Sequence, residues 1–189
     1  ITLLKCANDL TKEMQHIYAL SSLPFPFTSW SWSFPPNNNT NQMIHHHVND
    51  NGTTTITNTN THSHTDKLII ATPTLPSDKK SFWTVQIRDT PHIHTQLFLG
   101  ITPKTESDHD SNSSNSVGWK RGQSDLNGVI SFIEQGDALL FCFDPLFGHL
   151  YMFNSRLNQY FQKCVYVTDR PISSYAIAVL LGWGGAVVF

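Results

Sequence analysis

Apolar residues in the first twenty positions recur at Leu3, Ala7, Leu10, Met14 and Ile17, alternating steps of four and three, which is the a/d spacing of a helical seam. This predicts a helix, stopped by Pro24 and Pro26 because proline removes a donor and crowds the preceding turn. Two destinations are open for it. It is either an amphipathic helix packed on its own domain or the tail of a longer coiled coil that would make the protein a homodimer. After Ser21 the period changes. Short runs rich in β-branched and aromatic residues follow one another, separated by turn residues. The division predicted is a helix over residues 1–23 and an all-β domain over 24–189.

Trp30, Trp32 and Phe34 alternate with Ser29, Ser31 and Ser33, so the first strand has one aromatic and one hydroxylated face, as a half-buried strand requires. Asp50-Asn51-Gly52 turns the chain between Met43–Val48 and Thr53–Thr57, since Asn-Gly tolerates positive φ and suits a tight hairpin. Further strands are predicted at Lys67–Ala71, Ser81–Arg88, Gln96–Thr102, Val117–Lys120, Val129–Ile133, Ala138–Asp144, His149–Asn154, Tyr160–Val167, Ser174–Leu181 and Ala186–Phe189. So many strands in one domain must form two packed sheets or a closed barrel, because an open sheet would leave apolar faces wet. The sandwich is the expectation.

A net charge of -2, with Lys and Arg never clustered beyond a pair, leaves no basic surface for a phosphate backbone, so nucleic acid is not an expected partner. The longest apolar stretch, Tyr175 to Phe189, is short and broken by glycines, so no membrane span is expected. Cys6, Cys142 and Cys164 lie far apart, the last two inside apolar runs, where a free thiol behaves as a small hydrophobe. A reducing compartment, the cytoplasm, is the corresponding expectation. Sequons at Asn38, Asn51 and Asn112 follow no signal peptide and carry no weight here. A chain that opens on Ile1 rather than Met reads as a fragment.

Phe82-Trp83-Thr84-Val85-Gln86-Ile87, preceded by Ala71-Thr72-Pro73-Thr74-Leu75-Pro76, resembles the Trp-Glu-Val-Glu strand of the SPRY family. Leu97-Phe98-Leu99-Gly100-Ile101 stands where that family has its Val-Gly-Val strand. Gly136-Asp137 followed by Ala138–Asp144, then Gly148-His149-Leu150-Tyr151-Met152-Phe153-Asn154, is similar to the family's most specific hairpin, Gly-Asp, an apolar run, Asp, and Gly-x-Leu-x-Phe-x-Asn. Pro171 through Val179 and Gly182-Trp183-Gly184 resemble its closing segment. The Leu-Asp-Pro signature of the longer form with a PRY segment is absent. The resemblance implies a bent two-sheet antiparallel β-sandwich, similar to concanavalin-like folds. It also implies a non-enzymatic protein-interaction module without a cofactor, which takes a peptide segment of a partner protein, as the substrate-recognition part of a ubiquitin ligase or a signalling scaffold does.

In such a sandwich the ligand loops cluster at one edge, which matches Phe34–Thr40, Thr102–Ser116, Arg121–Leu126 and Leu181–Gly184. The partner-binding candidates are therefore Phe34, Pro35, Asn37, Asp108, His109, Arg121, Leu181, Gly182, Trp183 and Gly184. Trp183 is the expected anchor. Its glycine neighbours let a ligand backbone approach, and tryptophan is a favoured hot-spot residue; a Trp that merely closes the sandwich end is the competing account.

Other chemistry finds less support. His45-His46-His47, His62-x-His64 and His92-x-His94 would put imidazole pairs on single strand faces, which could make a four-nitrogen zinc site if two pairs met. No Cys or Glu completes a known spacing, so no metal ligand is assigned. There is no Gly-x-Ser-x-Gly, and Gly182-Trp183-Gly184-Gly185 precedes a strand rather than a helix, so neither a nucleophile elbow nor a phosphate loop is present. A carbohydrate-binding lectin-like sandwich stays open as an alternative, with Trp83 and His149 as the sugar-facing candidates. Alternation puts Val85 and Ile87 on the face of Trp83, which predicts that Trp83 points into the core.

Overall fold

The computed structural model describes residues 12, 31–33, 44–59, 68–89, 97–104, 116–121, 133–165, 174–182 and 185–189. Within them the chain runs through twelve strands: β1 (Ser31–Ser33), β2 (Ile44–Val48), β3 (Thr54–Asn58), β4 (Ile69–Thr72), β5 (Ser81–Asp89), β6 (Leu97–Pro103), β7 (Val117–Lys120), β8 (Ala138–Asp144), β9 (His149–Asn154), β10 (Gln159–Cys164), β11 (Tyr175–Leu181) and β12 (Ala186–Val188). They form a five-stranded sheet ordered β1-β4-β11-β6-β7 and a seven-stranded sheet ordered β10-β9-β8-β5-β12-β3-β2. Every pairing is antiparallel. The protein is thus an all-β, two-sheet sandwich, the architecture that the sequence pattern and the SPRY resemblance both imply. The predicted N-terminal helix lies outside the described residues, apart from Lys12.

Period-two alternation builds the core. Ile69 and Ala71, Leu97, Leu99 and Ile101, Trp119, and Tyr175, Ile177, Val179 and Leu181 point inward from the smaller sheet. Val85, Ile87, Leu139, Phe141, Phe143, Leu150, Met152 and Val187 meet them from the larger one. Phe141 sits at the centre, stacked on Trp83 with ring centroids 5.3 Å apart and tilted against Trp119 at 5.9 Å. Trp32 is buried against Phe189 at 4.6 Å, with Ser31 and Ser33 exposed on the other face, as the aromatic/serine alternation predicts.

The turns follow their local chemistry. Gly52 adopts φ +80° in the Asn49–Thr53 connection, where its N–H donates to the Asn49 carbonyl at 2.9 Å; an L-residue there would carry strain. In the β8–β9 turn the Asp144 carboxylate accepts from the Leu146 and Phe147 N–H groups at 3.1 and 3.4 Å, an Asx turn.

Two expectations need correction. Ile133, the described part of the predicted Val129–Ile133 strand, is buried in the core but lies in no strand; its apolarity serves packing rather than a ladder. Cys164 is exposed at the end of β10, and both it and buried Cys142 are free thiols. β10 is an edge strand in which alternate side chains meet solvent.

Candidate functional site

The antiparallel ladders give the sandwich two ends, set by the direction of β11. At one end Leu181 pairs with Leu97, and the Arg121 N–H donates to the Leu97 carbonyl at 2.8 Å. Beyond Leu181 the chain crosses from the smaller sheet to β12 of the larger through a turn in which the Gly185 N–H donates to the Gly182 carbonyl at 3.1 Å. Buried Asn58 holds this turn from β3: its Nδ2 donates to the Leu181 carbonyl at 2.8 Å and its N–H to the Gly185 carbonyl at 2.9 Å. β1 runs toward the same end, and β2 starts there with Ile44 opposite Asn58. Three predicted site residues, Arg121, Leu181 and Gly182, are therefore brought together. Leu181 and Gly182 are buried and Arg121 is half-buried, so Leu181 acts as a support rather than a contact. Phe34, Pro35, Asn37, Trp183 and Gly184 lie outside the described residues.

The loop with Asp108 and His109 does not start from this end. Pro103 pairs with Tyr175, at the far end of β11 from Leu181. Lys104 donates its N–H to the Ser174 carbonyl at 2.9 Å, and Ser116 Oγ donates to Thr102 Oγ1 at 3.1 Å. The expectation that all four loops spring from one edge is corrected for this one. β6 and β7 form a hairpin, so their connection leaves where β6 finishes, about 20 Å along the strands from Leu181 at about 3.3 Å per residue. Asp108 and His109 themselves lie outside the described residues.

A buried polar lock stands beside the Gly182 end. The Asp137 carboxylate, its side chain fully buried, accepts from Arg156 Nε at 2.6 Å, Asn154 Nδ2 at 2.8 Å and the Glu134 N–H at 2.9 Å. This ties the β8 entry to the β9–β10 turn. The hydrogen bond to Asp137 raises the Arg156 pKa above its ordinary value against the opposing effect of burial, and the Asp137 and Glu134 charges add to it. The Gly-Asp and Asn of the sequence hairpin are thus joined by one carboxylate, a role that the sequence reading did not assign.

The Tyr175 end carries a feature that sequence reasoning missed. Leu75, Pro76, Phe143, Pro145, Val165 and Tyr175 line an apolar cleft of about 210 Å³. Beside it, in the β8–β9 turn, Leu146 and Phe147 are 71% and 72% exposed. The signal was present: two large apolar residues inside the Asp144–Gly148 turn have no packing role there. Lys80 Nζ lies 3.7 Å from the Asp144 carboxylate behind this turn.

His45, His46 and His47 are exposed on β2, an edge strand, while His62, His64, His92 and His94 lie outside the described residues. Among the described residues no three His, Cys, Asp or Glu side chains are grouped to hold a metal, and no helix is long and apolar enough to cross a membrane. Trp83 is buried, as its alternation predicts, so it cannot stack on a sugar. His149 is half-buried, with Nδ1 3.1 Å from the Tyr151 hydroxyl.

Neither a protein-family model nor a curated protein matches the sequence. Solved structures that resemble the sandwich include the SPRY domain of human HERC1, at 16% identity over 75% of this chain and 89% of that one, with a TM-score of 0.47. The TRIM65 PSpry domain aligns at 13% identity over 78% and 88%, with a TM-score of 0.47. Peanut lectin, solved with a nine-residue peptide, aligns at 10% identity over 84% and 93%, with a TM-score of 0.48. The likeness is one of fold. SPRY domains and lectins stand side by side among these structures, so it does not choose between a protein ligand and a sugar.

Proposed function

We propose that this domain is a non-enzymatic recognition module that binds a short peptide segment of a partner protein at the Gly182 end, with Trp183 as the anchor. The observation that carries the proposal is the Gly182–Gly185 turn, held from both sides by buried Asn58. With Gly182 and Gly185 braced in this way, the two residues between them in sequence, Trp183 and Gly184, would lose little entropy on binding. Arg121, whose N–H bonds the Leu97 carbonyl, supplies a guanidinium at the same end, and Phe34, Pro35 and Asn37 come next in sequence after β1, a strand that runs toward that end. Asp108 and His109 belong to a loop rooted at the other end and would contribute only by reaching along the sandwich. A place in a ubiquitin ligase or signalling scaffold, in the cytoplasm, extends the same proposal.

A second placement is favoured by the exposure of Leu146 and Phe147 beside the Tyr175 cleft. An apolar peptide side chain would fit there. Sugar binding loses its stacking platform with Trp83 buried.

The test is a peptide-display screen of the 189-residue chain, with a glycan array in parallel. Trp183→Ala is expected to weaken the selected peptide at least tenfold, about 1.4 kcal/mol, with thermal unfolding unchanged. A lost fold would make Trp183 a core residue, and enrichment of glycans alone would overturn peptide recognition.

A further inference from the structure

β2 stands last in the order of the seven-stranded sheet and carries three consecutive histidines, His45, His46 and His47, all exposed. Strand register decides which way each one points. His46 is opposite Ile56, which is fully buried in the core, whereas His45 and His47 are opposite Thr57 and Thr55. Partners in an antiparallel pair project to the same face, and successive residues alternate. His46 therefore shares the core-side face with Ile56, and His45 and His47 stand together on the outer face. Their Cα atoms are about 6.6 Å apart at about 3.3 Å per residue. Two imidazole nitrogens held by one tetrahedral metal at about 2.0–2.1 Å are about 3.3 Å apart, so a lean of each ring toward the other closes a chelate without moving the backbone.

The strand beneath the pair is already fixed. Asn49 Nδ2 donates to Thr53 Oγ1 at 2.8 Å and to Thr55 Oγ1 at 3.0 Å, and the Asn49 N–H donates to the Thr53 carbonyl at 2.8 Å. β3 is tied in turn to β12 through Thr55, Ile56 and Thr57, so the ligand backbone is preorganised. Neither imidazole is spent elsewhere: among the described residues no side-chain hydrogen bond or ion pair engages His45 or His47. Residues 44–58 contain no Lys or Arg, and the one formal charge among them, Asp50, is negative, so no cation within the hairpin repels a metal.

We propose that His45 and His47 form a bidentate site for a divalent transition metal of the copper, nickel or zinc class. Imidazole suits these ions, with copper bound most tightly, whereas magnesium and calcium take oxygen ligands. Two protein ligands leave coordination positions to water or to a donor carried by another molecule, which makes this an open site rather than a closed structural one. It uses no residue of the peptide-binding turn and stands independently of that reading.

A zinc titration of the 189-residue chain, followed by the imidazole Cδ2–H and Cε1–H resonances of each histidine, tests this residue by residue. His45→Gln and His47→Gln provide the assignments and the variants, with His46→Gln as the control. All three positions are exposed, so the substitutions leave the fold intact. The His45 and His47 resonances are expected to move along one saturation curve with zinc and not with magnesium. Loss of either member should weaken zinc binding at the other by at least about tenfold, as the loss of a chelate partner requires, and His46→Gln should leave the curve unchanged. Separate curves for His45 and His47, a member indifferent to loss of its neighbour, or no shift of the pair at millimolar zinc would overturn the site.

Discussion

Asp137 shows what a single residue contributes to the sandwich. Its carboxylate satisfies Glu134, Asn154 and Arg156 at once, and deleting it leaves buried donors without an acceptor. Asp137→Ala should therefore cost about 2–4 kcal/mol. Arg156→Ala should also be destabilising, by about 1–3 kcal/mol, because the buried Asp137 carboxylate loses its countercharge and the guanidinium hydrogen bonds but keeps those from Asn154 and the Glu134 N–H. Denaturant unfolding of the two variants checks this; no loss at Arg156→Ala would mean that the other two donors alone hold the carboxylate. Tyr175 makes a pH prediction. Burial raises its pKa above the ordinary value, about 10, so the folded state holds the phenol proton more tightly than the unfolded chain does. Stability from this group is full below about pH 10 and falls as pH rises toward the raised value, by at most about 1.4 kcal/mol per pH unit. Tyr175→Phe should flatten that part of the profile between pH 9 and 11, and identical slopes in the two proteins would contradict the assignment.

Among the elements, the β6–β7 hairpin depends on having no side chains where the strands face each other. Gly100 and Gly118 are register partners, and a Cβ on either would run into backbone, the Val117 or Leu99 carbonyl oxygen. Gly100→Ala should cost about 1–3 kcal/mol by overpacking, with the earliest loss of amide protection in β6 and β7 by hydrogen exchange. Uniform loss across both sheets would argue against a local clash. The strands themselves were legible in the sequence because alternation and turn chemistry are local. β8 reads as an apolar run since both its faces are covered, and Asp144-Pro145 and Gly148 mark its turn into β9. What local pattern does not carry is strand order. The β6–β7 loop could be assigned to the wrong end because only the pairing of Pro103 with Tyr175 reveals where it leaves the sheet. Cys164 was misread for a related reason: Val165-Tyr166-Val167 after it are apolar, although Gln162-Lys163 before it are not, and whether an edge position meets solvent depends on the sheet.

Taken as a whole molecule, the sandwich offers two ends, one at Gly182 and one at Tyr175. The Gly182 end was partly legible, through the Gly-Trp-Gly turn and its neighbours. Its supports were not, because Asn58 and Leu181 are 123 residues apart and nothing local links them. The cleft at the Tyr175 end is assembled from separate segments, Leu75–Ser77, Phe143–Gly148, Val165 and Ser174–Tyr175, and only folding brings them together. Which end binds is the central question, and hydrogen exchange with and without a display-selected peptide answers it most directly. Protection of the amides of Leu97, Arg121, Leu181, Gly182 and Gly185 is predicted. Protection confined to Leu75, Ser77, Phe147, Gly148 and Tyr175 would move the site to the cleft and contradict the role given to Trp183.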